Sequence, residues 1–184
     1  MKKTKFNIWW QRLWPIFLGV LIVGVAQLLL SVFGLRNINL TGNSMSPTYK
    51  DGTFLFIKEQ TPKRNDLIVF NPPNSWDPDA KTKKYIKRVV ALEGDTVEIA
   101  PAEVRVNGKT VRQWDPEVTG NSVEKTRVFK VPSGKFFVLG DNKENSNDSL
   151  YEFFSSSPEI FVSEKDTFVV GQPVFKFYYK FWKG

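Results

Sequence analysis

The chain of 184 residues has room for one folded domain and a short appendage. It contains no histidine and no cysteine, which excludes a Ser-His-Asp triad, a Cys-His pair, disulfides and imidazole metal sites. The net charge of +7 sits mainly in residues 1–36, where Lys2, Lys3, Lys5, Arg12 and Arg36 meet no acid; elsewhere 21 basic side chains face 19 acidic ones, so no nucleic-acid partner is expected.

In chain order, the first element is an apolar run of 20 residues, Ile16 to Leu35, whose only polar members are Gln27 and Ser31. As a helix it would span about 30 Å, the thickness of a bilayer's hydrocarbon core. Trp9, Trp10 and Trp14 stand at one end, where indoles favour the membrane–water interface. The basic residues precede the run and only Arg36 follows it closely. The positive-inside rule then expects residues 1–15 in the cytoplasm, 16–35 as a transmembrane anchor in the cell membrane, and 36–184 as an extracytoplasmic domain. A cleavable leader would end in a small-x-small site, whereas Ser31-Val32-Phe33 ends in a bulky residue, so a retained anchor is expected.

Beyond residue 36 the pattern changes to short β-type runs: Asn37–Leu40, Thr53–Lys58, Asp66–Phe70, Tyr85–Leu92, Thr96–Ile99, Glu103–Val106 and Lys135–Leu139. Asn107-Gly108, between Glu103–Val106 and Lys109–Val111, is a hairpin signal of type I′. With no long 3.6-residue period, the expected fold is mostly β: an antiparallel barrel or coiled sheet behind one N-terminal helix. Asn71–Lys84 and Arg112–Lys130 read as polar surface loops. The aromatic tail Phe175–Lys183 reads either as a last core strand or as a patch whose rings enter a lipid headgroup region.

Three stretches can carry chemistry. Gly42-Asn43-Ser44-Met45-Ser46-Pro47-Thr48 is a tight bend next to the anchor, either a plain loop or the seat of a nucleophilic serine. Without histidine, Ser44 needs a carboxylate, a tyrosine or a lysine as base, and burial can bring a lysine toward neutrality. Tyr85-Ile86-Lys87-Arg88 places two basic residues in an apolar strand, pointing to opposite faces; both lie outside on an edge strand, or one is driven inward. Gly140-Asp141-Asn142 through Ser146 to Asp148-Ser149 is a turn of short polar side chains able to hold a catalytic pair. It lacks the spacing of a calcium loop, and no metal is expected there.

Together these stretches resemble the bacterial type I signal peptidases, in the compact Gram-positive form. Ser44-Met45-Ser46-Pro47-Thr48 is similar to the family's Ser-Met-x-Pro-Thr, Tyr85–Arg88 with Gly94-Asp95 to its lysine motif, and Gly140–Ser149 to its third motif. Arg64–Phe70 is similar to the strand between them. The resemblance implies a membrane-bound serine endopeptidase that removes signal peptides from preproteins through a Ser-Lys dyad, without cofactor. Ser44 would be the nucleophile and Lys87 the general base and later general acid. Ser146 would hold the lysine amine by a hydrogen bond, and Asp141 and Asp148 would support the site. The Ser44 backbone N–H would serve the oxyanion hole, a contribution of about 3 kcal/mol in comparable sites. Ile38, Leu40, Tyr85 and Ile86 would line shallow pockets for the small −1 and −3 residues of an Ala-x-Ala signal peptide, with Met45 packed below.

Two positions depart from the family pattern. Gly42 stands where some members carry an oxyanion-hole serine. Leu150 stands where the family usually has an arginine paired with the aspartate, so Asp148 must find another partner. Two other functions remain compatible with the sequence: a dedicated peptidase with few substrates, and a non-catalytic membrane-tethered β domain acting as an assembly chaperone.

Overall fold

Lys5–Val32 forms helix α1, of 28 residues. Its segment Trp9–Val32 has a mean hydropathy of 2.4, and none of its apolar window is buried among the described residues. The structure, a computed structural model, describes residues 5–77, 79, 82–121 and 123–178. Gly34 ends the helix in the left-handed conformation (φ 63°), its N–H donating to the Ser31 carbonyl, and the chain turns directly into a strand. Leu35 therefore belongs to the β domain and not to the helix.

The strands are β1 (Leu35–Asn39), β2 (Thr53–Glu59), β3 (Leu67–Phe70), β4 (Tyr85–Ala91), β5 (Thr96–Ala100) and β6 (Glu103–Val106). They continue as β7 (Lys109–Gln113), β8 (Arg127–Lys130), β9 (Lys135–Leu139), β10 (Val162–Ser163) and β11 (Thr167–Tyr178). Short helices α2 (Pro116–Thr119) and α3 (Ser149–Phe154) lie between β7 and β8 and after β9. All pairings are antiparallel. One curled seven-stranded sheet runs β1-β2-β11-β3-β4-β9-β10, and a smaller sheet runs β7-β6-β5-β8. This is the mostly-β fold with one N-terminal apolar helix that the sequence leads one to expect.

Burial explains the strand patterns. β3 is covered on both faces, so its four residues are all apolar. Leu67 and Val69 join Leu40, Met45, Leu55 and Ile57 on one side; Ile68 and Phe70 join Trp76, Val89, Val138 and Val162 on the other. Fully burying residues such as Leu55, Ile57 and Phe70 contributes about 1.5–3 kcal/mol each. A third cluster joins Val97, Ile99, Val104 and Val106 of the smaller sheet to Phe137, Leu139 and Leu150, so β9 and α3 link the two sheets.

Both expected surface loops prove more structured. Within Asn71–Lys84, Trp76 is buried edge-on against Phe70, and its indole N–H donates to the Glu159 carbonyl. Within Arg112–Lys130, Arg112 and Gln113 extend β7 and Arg127–Lys130 is a strand, three of its four residues exposed, which hides its apolar signal. Of the aromatic tail, residues 175–178 lie in β11, an inner strand between β2 and β3; residues 179–183 lie outside the described part.

Candidate active site

Ser44 sits in a bend held from several directions. Gly42 takes φ 93°, a conformation that favours glycine, and its N–H donates to Asp51 Oδ1 at 2.8 Å. The Ser46 N–H donates to the Asn43 carbonyl, and the Tyr49 N–H to that of Met45. The Ser46–Pro47 bond is cis. Met45, 1% exposed, plugs the cluster beneath and anchors the bend. Among the described residues nothing accepts from the Ser44 N–H, which leaves it open to an incoming oxyanion.

Strand β4 delivers the partner. Lys87, opposite Ile68 in the register, is 3% exposed, and its Nζ donates to Ser44 Oγ at 2.9 Å. Burial pushes its pKa down to about 8; the nearby Asp148 carboxylate opposes that and the Arg112 guanidinium assists it. Arg88 points to the other face, where Nε and Nη2 grip Asp141 at 2.8 and 2.6 Å and Nη1 donates to the Asn65 carbonyl. Of the two neighbouring basic residues, the inward one is Lys87.

The turn after β9 brings in the third stretch. The Asn142 N–H donates to the Ser44 carbonyl at 2.9 Å, and its side-chain amide donates to the Asn43 carbonyl at 3.0 Å. Asn142 thus clamps the serine bend at two successive peptides, a role that sequence reasoning missed. Gly140 lies so close that a Cβ there would stand 2.5 Å from the Ser44 carbonyl oxygen. Asp148 is buried as the N-cap of α3. Its Oδ1 accepts from the Leu150 and Tyr151 N–H groups, and its Oδ2 from that of Gly140. Its charged partner is Arg112 on β7, Nη1 to Oδ2 at 3.4 Å. Leu150 turns instead into the core.

Ser146 differs from expectation. Its Oγ is buried with no hydrogen-bond partner among the described residues, and no bond joins it to Lys87. Lys87 Nζ is engaged by Ser44, while the Ser146 side chain packs against Gly140.

The expected pocket residues split between two sides. Leu40 and Met45 are buried, and Ile38 and Ile86 pack half-open against them in one cluster. Tyr85 lies in the opposite cluster, edge-on to Phe70, with its hydroxyl donating to Asp77 Oδ2 at 3.0 Å and its ring centre 5.3 Å from Lys87 Nζ. Alternation along β4 separates it from Ile86. A cavity of about 1370 Å³ lies elsewhere, lined mainly by residues 123–129 and 153–161, and none of the expected pocket residues lines it. Among the described residues no cluster of three or more acidic side chains forms a metal site.

A serine hydroxyl 2.9 Å from a buried amine, with a free N–H at the same residue, can attack a carbonyl and stabilise the charge that develops. The chain is similar to known proteins across most of its length. A profile described as "Signal peptidase, peptidase S26" matches residues 10–178. A signal peptidase I of Bacillus licheniformis is 34% identical over 71% of this chain and 74% of its own. One of Bacillus caldolyticus is 35% identical over 81% and 85%. A solved signal peptidase I from Enterococcus faecalis V583 is 26% identical, covering 62% of this chain and 99% of its own, with a TM-score of 0.41. The relation rests on the sequence.

Proposed function

We propose, for a chain that belongs to the signal peptidase family, peptidase S26, that Ser44 is the nucleophile and Lys87 the general base. The chain is a serine endopeptidase that removes signal peptides from preproteins. The observation that carries the residue assignment is the 2.9 Å contact between Ser44 Oγ and the buried Lys87 Nζ. Neutral Lys87 takes the Ser44 hydroxyl proton as Oγ bonds to the scissile carbonyl carbon. The C–N bond then breaks and the ammonium protonates the leaving amine. Water hydrolyses the acyl-enzyme, giving one proton to Lys87 and from there back to Ser44. The Ser44 N–H serves the oxyanion hole, while Asp141 and Asp148 hold the turn that carries Asn142 and Ser146. A chaperone would have no need of a buried amine against a serine.

The finer substrate reading is Ala-x-Ala. Ile38 and Ile86 lie over Leu40 and Met45, a nearly closed apolar floor that favours short side chains. Tyr85 contributes from beyond Lys87. The purified chain in detergent should cut an Ala-x-Ala preprotein and reject the same substrate with Phe at −1. Its kcat/KM should rise with pH through about 8, because only neutral Lys87 can accept the proton. A limb near pH 10, or equal cleavage of the Phe substrate, would remove these assignments.

The chain is membrane-anchored through α1. We assign residues 1–15 to the cytoplasm, 16–34 to the cell membrane and the β domain, from Leu35 on, to the outside on the basic excess before the anchor, which protease protection in intact cells checks. Lipid is also assigned as a partner of the β domain. Phe54 stacks on Phe177 at 5.1 Å and Phe56 lies against Phe175 at 6.1 Å, while Phe175, Phe177 and Tyr178 stay exposed beside Lys176. The double change Phe175→Ser and Phe177→Ser should lower kcat/KM several-fold for a vesicle-embedded preprotein and not for a soluble peptide. Equal effects on both would remove the lipid contact.

A further inference from the structure

Arg112 is on β7, the edge strand of the smaller sheet, yet its side chain is only 9% exposed. Its Nη2 donates to the Gly140 carbonyl and its Nη1 faces Asp148 Oδ2 at 3.4 Å. That same Oδ2 accepts the Gly140 N–H at 2.9 Å. Arginine and aspartate together therefore hold both the N–H and the carbonyl of Gly140. Gly140 in turn packs against the Ser44 carbonyl and the Ser146 side chain. The Asn142 N–H, two residues on, holds the Ser44 carbonyl.

We propose that Arg112 is a positioning residue for the Ser44–Lys87 pair, acting through Gly140 and Asp148 and supplying from the smaller sheet the cation that Leu150 does not. The inference rests on the assignment of Ser44 and Lys87 as the reacting pair. A guanidinium suits the task because its planar fork reaches a carboxylate and a carbonyl from two separate nitrogens, whereas a lysine would have to serve both from one. It also balances a charge. The charged groups bearing on Lys87 are Asp148, which favours its ammonium form, and Arg112, which opposes it. The Tyr85 ring and the Ser44 hydroxyl add no charge, and Arg88 with Asp141 forms a closed pair on the opposite face of β4. Without Arg112, a buried aspartate would be left with backbone donors alone, beside the amine that must lose its proton.

The test uses the full chain in detergent with a preprotein substrate, comparing wild type, Arg112→Gln, Arg112→Lys and Ser44→Ala. Arg112→Gln should lower kcat about ten-fold or more with KM within about two-fold, and move the acidic limb of the pH–rate profile upward, because geometry and charge are both lost. Arg112→Lys keeps the charge, so its limb should stay in place while kcat falls by about three-fold. A role confined to joining the two sheets would lower activity only with the folded fraction and leave both limbs unmoved. That result, or wild-type kcat and limb in both variants, overturns the proposal. If Arg112→Gln does not fold, Arg112→Lys decides alone: a kcat per folded enzyme lowered about three-fold with KM within about two-fold supports the proposal, and an unchanged kcat per folded enzyme overturns it. Cleavage that survives Ser44→Ala would instead refute the Ser44–Lys87 assignment itself.

Discussion

Ser44→Ala and Lys87→Met should each lower preprotein cleavage by about four to six orders of magnitude, and Lys87→Met should at the same time stabilise the fold. The activity loss follows from two groups acting as one unit: Oγ without a base is a poor nucleophile, and a base without Oγ has nothing to activate. Stability moves the other way because Lys87 is buried without a carboxylate bonded to it. Its pKa falls from 10.5 in the unfolded chain to about 8 in the folded one. Below pH 8 the amine is protonated in both states, and folding then bears the whole cost of burying the charge, on the order of 3 kcal/mol. Between about pH 8 and 10.5 the folded form has lost a proton that the unfolded form keeps, so this group makes stability rise with pH across that window. Methionine fills a similar volume without charge, and its advantage should be present at pH 7 and shrink as pH approaches 10. Urea unfolding at three pH values alongside a cleavage assay checks both halves. A variant that is inactive and also markedly less stable at pH 7 would contradict the buried, uncompensated amine.

The candidate pair was legible because it needs only local patterns. An apolar strand interrupted by Lys87-Arg88 says that two cations face opposite ways. It does not say which turns inward. That choice depends on Asp141, more than fifty positions away, lying ready to take Arg88 on the outer face, and on Ile68 and Val89 closing over the inner one. Arg112 was beyond reach for a related reason. Its partners lie 28 and 36 positions further on, and a bulge between Val104 and Arg105 resets the hairpin that aims it. Of β11 only the aromatic end from Phe175 could be read as a strand, because Pro173 argues against an inner strand; the structure tolerates it because the register shifts there, between Pro173 and Phe175. Trp76 was one aromatic in a proline-rich stretch, and only its fit against Phe70 makes it core. Patterns of period two foretell strands and candidate faces, while the pairing of charges across sheets is a tertiary property.

Gly140→Ala should lower kcat by about a hundred-fold and cost about 1–3 kcal/mol of stability, although the change adds one methyl group. Gly140 has no positive φ, so backbone conformation is not the obstacle. The obstacle is space. The added Cβ would stand 2.1 Å from Ser146 Oγ, 2.7 Å from Ser146 Cβ and 2.5 Å from the Ser44 carbonyl oxygen. A serine hydroxyl can rotate away, but its Cβ and a neighbouring carbonyl move only with the backbone. The Ser44 carbonyl is also held by the Asn142 N–H, so relief on one side pulls on the other. The least costly adjustment shifts Ser44, and a displacement of about 1 Å breaks the alignment on which attack depends. Removing the Ser146 side chain tests this reasoning. Gly140→Ala with Ser146→Gly eliminates two of the three contacts and should recover most of the stability, yet the Ser44 carbonyl remains in the way and activity should stay low. Activity within about two-fold of wild type in Gly140→Ala would show that the serine bend is looser than its hydrogen bonds imply.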